Sequence, residues 1–335
     1  MIKLYQVLVS LLPVLAFLSA LVVLDSFKLV SFRAVARAIG VGALAAVASL
    51  WLNELILHAW RPDFRFFSRY DAPLVEELFK GVFVGYLLWT RRVGFIVDAA
   101  IYAFAVGTGF ALVENIYFLK TLAAGQPLVW VVRGFGTAAL HGATMVCFAA
   151  ITKHLLDRST EQRWGLFVPG FLAAAVLHSL FNHFLLSPLS STLVILVVLP
   201  VLVVLVFARS ERATGEWLGE GWQADVDLLE AVTSEELAAT PVGFYLDNLR
   251  EHFPPQVVGD MLSLIQLHLE LAMTAKGQLL AQAAGVTLPR DPDVDAKIRE
   301  VAYLEKSIGK TGLRTLAPLL YATRRDEWQR LLVSH

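Results

Sequence analysis

The chain has 335 residues, enough for two domains, yet 57% of them are hydrophobic and the mean hydropathy is +0.62, too apolar for an ordinary soluble protein. The net charge of -1 conceals a split, because residues 1–208 carry 15 Lys+Arg against 10 Asp+Glu and the remainder 13 against 19. No concentrated basic stripe exists, which argues against a nucleic-acid partner, and the single cysteine, Cys147, cannot make an intrachain disulfide.

A span takes about 20 apolar residues to cross roughly 30 Å of hydrocarbon. The first apolar run, 7–24, follows one lysine, lacks a small-residue cleavage site and is succeeded by further runs, so it reads as a retained span rather than a signal peptide. Further spans are expected at 34–58, 73–89, 96–119, 128–152, 166–186 and 192–208. Between the second and third, Trp60 to Tyr70 interleaves aromatics with Arg61, Arg65 and Arg69, the composition of a loop lying at the headgroup level. Loops after odd-numbered spans carry Lys28, Arg33, Arg37, Arg91, Arg92, Lys153, Arg158, Arg163, Arg209 and Arg212; the other side has Lys3, Arg61, Arg65, Arg69, Lys120 and Arg133. That bias puts the N-terminus outside and the tail in the cytoplasm.

From about residue 211 charge interrupts the apolar runs. Segments 256–284 and 295–307 read as amphipathic helices of a soluble domain, punctuated by Pro241, Pro254, Pro255, Pro289 and Pro292. The expected architecture is all-α: a polytopic bundle of about seven transmembrane helices over 1–210, then a soluble helical extension over 211–335.

Ionisable groups within spans are costly and normally face the bundle interior, where they mark a site or a pathway. The third span opens with Glu76, Glu77 and Lys80; spacing slightly favours Glu76 as the lysine's i,i+4 partner, leaving Glu77 as a base. Alone, the trio also fits an interfacial salt bridge. Glu114 near the end of the fourth span suits a helix-end acid as well as a site. His141 lies among small residues of the fifth. His178 and Asn182 share one face of the sixth, with His183 rotated away toward the helix end. In the topology above, Glu76 and Glu77 begin an inward-running span and Glu114 ends an outward-running one. His178 lies roughly 12 Å from the outer end of its span, so these residues are expected to converge in one outer-leaflet cavity.

Glu76-Glu77-x-x-Lys80, Phe110-x-x-x-Glu114-Asn115, His141 and His178-x-x-x-Asn182 together resemble, in order and in placement on successive spans, the PrsW family of bacterial intramembrane proteases, relatives of the CAAX prenyl endopeptidases. The resemblance covers about 70–186 and not the tail. It implies peptide hydrolysis inside the bacterial cytoplasmic membrane, on single-span substrates such as anti-sigma factors. Amide hydrolysis takes a base to activate water and donors for the oxyanion. The roles that follow are water activation by Glu76 or Glu77 with His141, oxyanion stabilisation or orientation by His178 and Asn182, and support from Lys80 and Asn115. Metal-free and zinc-dependent hydrolysis both fit, with Glu114, His141 and His178 as candidate zinc ligands, although no His-Glu-x-x-His helix occurs. Cys147 is out of register with His141 and no Gly-x-Ser-x-Gly elbow occurs, which argues against a covalent nucleophile.

The alternative is a non-enzymatic proton-coupled transporter or signalling scaffold, with Asn53, Glu54 and His58 extending a proton relay; no duplicated halves or paired broken helices support it. The acidic tail either meets a cytoplasmic partner or presents solvated faces.

Overall fold

The computed structural model describes residues 3–25, 30–122, 126–159, 163–286, 288–289 and 291–320; Lys28 lies outside them. No strand occurs among the described residues. The chain divides into two compact units, Met1–Ser210 and Glu211–His335.

The first unit holds α1 (Leu4–Leu24), α2 (Phe32–Trp60), α3 (Ala72–Trp89), α4 (Ile96–Thr121), α5 (Ala138–Arg158) and α6 (Val168–Asn182). A long helix, α7 (Pro188–Thr233), carries the division at Ser210. The hub is α4, packed against α1, α2 and α5 and buried along most of its length. Small residues permit this: Ala99, Ala100, Ala103 and Ala105 give neighbours room. A Cβ at Gly107 would sit 2.4 Å from the carbonyl oxygen of His141, so glycine there lets α5 bring His141 against α4.

Seven helical stretches among the described residues are long and apolar enough to cross a membrane: Leu4–Leu24, Phe32–Trp60, Ile96–Thr121, Pro127–Arg158, Trp164–Asn182, Pro188–Arg212 and Pro255–Gln282. This set differs from the expected one at two places. Ala72–Trp89 drops out because of Glu76, Glu77 and Lys80. Those charges are turned inward, however: Glu77, Lys80, Val84 and Leu88 are buried on one face, while Leu74, Leu78, Val82 and Tyr86 are exposed at every fourth position of the other. A continuous apolar stripe outside and charge inside is the pattern of a span that carries a site. Pro255–Gln282 enters for the converse reason, since it is apolar on several faces to fill a protein core.

The expected loop from Trp60 to Tyr70 is mostly helical. Asp63 caps a short turn by accepting from the Phe66 amide at 2.9 Å, and a π-helical turn, Phe67–Asp71, leads into α3. A second π turn, Val132–Thr137, joins the short helix Pro127–Val131 to α5. Such turns insert an extra residue and recur at functional sites.

In the second unit, α8 (Pro241–Leu249), α9 (Pro255–Ala283) and α10 (Val294–Leu320) surround a core of Val242, Leu246, Met261, Leu264, Ile265, Ala275, Leu304 and Leu316. The buried Lys276 of α9 pairs with Asp225 at 2.7 Å, and the Tyr245 hydroxyl donates to the Thr315 carbonyl at 2.6 Å.

Candidate active site

The second turn of α3, the C-terminal third of α4, the start of α5 and the end of α6 meet at one end of the first unit. Glu77 is the anchor. Its Oε1 accepts from the Lys80 ammonium at 2.5 Å, His178 Nδ1 at 2.7 Å and the Thr144 hydroxyl at 3.1 Å, and both Glu77 and Lys80 are fully buried. Lys80 therefore pairs at i,i+3 with Glu77 and not, as spacing slightly favoured, at i,i+4 with Glu76. The cause is tertiary, because α5 and α6 supply Thr144 and His178 to the face of α3 that holds residues 77 and 80, while Glu76 sits at its edge. Glu76 keeps 15% of its side chain exposed and approaches His178 Nε2 at 3.7 Å.

Hydrogen bonding assigns the histidine tautomers. An ammonium can only donate, so His141 Nδ1, 3.0 Å from Lys80 Nζ, accepts; its proton lies on Nε2, which donates to Glu114 Oε2 at 2.8 Å. A carboxylate only accepts, so His178 donates from Nδ1 to Glu77 and keeps Nε2 bare. Each imidazole thus leans on a carboxylate through one nitrogen; the other is bare on His178 and accepts from Lys80 on His141. The two rings stand edge to face, 5.1 Å between centroids.

This is the arrangement that orients histidines toward a metal. One donor atom each from Glu76, His141 and His178 lies within 4.8 Å of the others, and a carboxylate with two imidazoles is a catalytic zinc ligand set. Glu77 and Glu114 have Lys80 and Arg133 as counter-charges; Glu76 has neither. Glu77 Oε2 is buried with no hydrogen-bond partner. The donor chemistry therefore fits a divalent cation, on a trio that includes Glu76 where Glu114 was expected. Glu114 is drawn off by Arg133, at 3.4 Å, and by the remote nitrogen of His141.

Asn182 is not brought into this cluster: its Nδ2 donates to the Ser68 carbonyl at 2.9 Å, and Ser179 donates to the Arg69 carbonyl at 2.6 Å. The end of α6 thereby clasps the π turn ahead of Glu76. His183, one residue on, receives the Tyr70 hydroxyl at 3.0 Å. Asn115 bonds the Ser10 carbonyl and Arg133. Sequence reading passed over Thr144 and counted Arg133 only as a loop charge. The available signal for Thr144 was its place one turn after His141.

The fold and the site define a polytopic helical membrane protein with a carboxylate–histidine centre buried among its spans. The model of the PrsW family intramembrane metalloproteases matches residues 30–208, more than half of the chain, and the chain belongs to that family. It is an integral membrane protein of an intramembrane protease family. No curated protein and no solved structure matches it.

Proposed function

We propose that the protein hydrolyses peptide bonds within single-span membrane proteins at a centre formed by Glu76, His141 and His178, which would hold a zinc ion. The reading is carried by the mutual approach of those three donors, with His178 bare on Nε2 and His141 Nδ1 held only by the Lys80 ammonium, which a cation would displace. Bound there, zinc would polarise the scissile carbonyl and bring the pKa of a bound water to about 7. It would also supply oxyanion stabilisation that the two histidines do not, since each has its only N–H committed to a carboxylate.

Glu76 is the partly exposed carboxylate without a cation of its own, and one of its oxygens accepts the proton of the attacking water. As the water oxygen bonds to the carbonyl carbon and the C–N bond breaks, Glu76 passes that proton to the leaving amine. Glu77, locked by Lys80, Thr144 and His178, holds the second histidine in place. The charge bias of the loops supports an orientation with the N-terminus outside and the second unit in the cytoplasm, and the family resemblance supports a bacterial cytoplasmic membrane.

The test is cleavage of single-span membrane peptides by the detergent-purified protein. Glu76→Gln is expected to lower kcat by roughly 10²-fold or more, and a chelator to abolish cleavage until zinc is restored. Full activity in Glu76→Gln would refute the assignment, and chelator resistance would refute the zinc.

A further inference from the structure

The family match begins at residue 30, yet the site is tied to α1, which precedes it. Pro13 inside α1 has no N–H, so the Val9 carbonyl four residues earlier lacks its helical donor. That carbonyl faces the second π turn: a Cβ at Gly134 would stand 1.9 Å from the Val9 oxygen, so only glycine allows the approach. One residue further, the Ser10 carbonyl accepts from Asn115 Nδ2 at 2.7 Å, and Asn115 Oδ1 accepts from Arg133 Nε at 2.9 Å. Arg133 Nη2 lies 3.4 Å from Glu114 Oε1, and Glu114 Oε2 accepts from His141 Nε2 at 2.8 Å. The guanidinium sits 3.7 Å over the Phe118 ring, which fixes its plane.

Resting on the proteolytic reading above, we propose that Arg133 is a positioning residue of the active site, held by α1 through Asn115, and that it orients His141 by locking the Glu114 carboxylate. One oxygen of Glu114 is hydrogen-bonded to His141 and the other ion-paired at 3.4 Å with Arg133, whose Nη2 makes no hydrogen bond. Rotation of the carboxylate would disturb both contacts at once, so Glu114 holds the Nε2–H of the imidazole while Nδ1 accepts from Lys80. Without Arg133 the carboxylate turns more freely and His141 Nε2–H loses its fixed acceptor, while Lys80 still donates to Nδ1. Outer-shell partners of this kind are typically worth 10–100-fold in activity. The first helix is then a working part of the site.

The experiment compares wild type, Arg133→Met, Arg133→Lys and Asn115→Ala as full-length, 15N-histidine-labelled protein in detergent, with His141 signals assigned by their loss in His141→Gln. Ring 15N shifts are read beside kcat and KM on a single-span peptide. Arg133→Met is expected to shift the His141 Nε2 signal, as its bond to Glu114 weakens, with Nδ1 still an acceptor from Lys80, and to lower kcat roughly 10–100-fold with KM nearly unchanged. Arg133→Lys, which keeps the charge but not the planar fork, recovers part of both, and it carries the test if the methionine variant does not fold. Asn115→Ala shifts the His141 signals the same way, more weakly. Unchanged His141 shifts in both Arg133 variants overturn the proposal whatever happens to kcat, and unchanged shifts in Asn115→Ala remove α1 from it. The ring shifts are read without substrate, so an inactive wild type would count against the proteolytic reading and leave this one to the spectra.

Discussion

Glu76 and Glu77 are adjacent in sequence and opposite in circumstance. Glu77 is fully buried and receives three donors, whereas Glu76 stands partly exposed beside two histidines. Removing Lys80 would leave the Glu77 carboxylate buried without its counter-charge, so Lys80→Met is expected to destabilise the protein by about 3–5 kcal/mol, read from thermal unfolding in detergent. Glu76→Gln, at the open edge of the cluster, should shift stability by only about 0.5 kcal/mol while it lowers kcat by roughly 10²-fold or more. Similar unfolding losses in the two variants would contradict this division of labour. The residue types of the site were legible from the sequence because ionisable groups in apolar runs are conspicuous. Their pairing was not, since i,i+3 and i,i+4 are both open to a lysine on a helix and the choice was made by α5 and α6.

At the scale of elements, hydropathy locates the helices but misjudges two of them when charge is merely counted. The charged face of α3 is its inner face, and α9 is apolar because it fills a core. The π turns at Phe67–Asp71 and Val132–Thr137 had no signal in residue type, because an i→i+5 bond needs only a backbone made to accept an extra residue. Close approach at Gly107 is the element-level requirement of the site. Gly107→Val is expected to cost about 1–3 kcal/mol and to reduce cleavage by displacing His141. Unfolding and kcat measured on the same preparation check it, and a fully active, equally stable variant would show that α4 and α5 have slack at this point.

For the whole molecule, the span assignment has a consequence that sidedness can measure. If α3 crosses and α9 does not, the N-terminus and the second unit are expected on opposite faces, and both ends of α9 on one. In a Cys147→Ser background, Lys3→Cys and Glu235→Cys should label from opposite sides, and Pro254→Cys and Val286→Cys from the same side. Opposite labelling of the last two would make α9 a span.

Composition and periodicity by themselves determined that this is an all-α membrane bundle with a charged helical tail, because burial in lipid and burial in a core both leave local marks on a chain. The order of the Glu, His and Asn motifs carried the family. Only the tertiary structure decided which carboxylate holds the lysine, that Asn182 clasps backbone, and that Arg133 and α1 stand behind His141. Those outcomes depend on how far each helix is rotated and how closely it approaches its neighbours, which residue spacing within one helix does not encode.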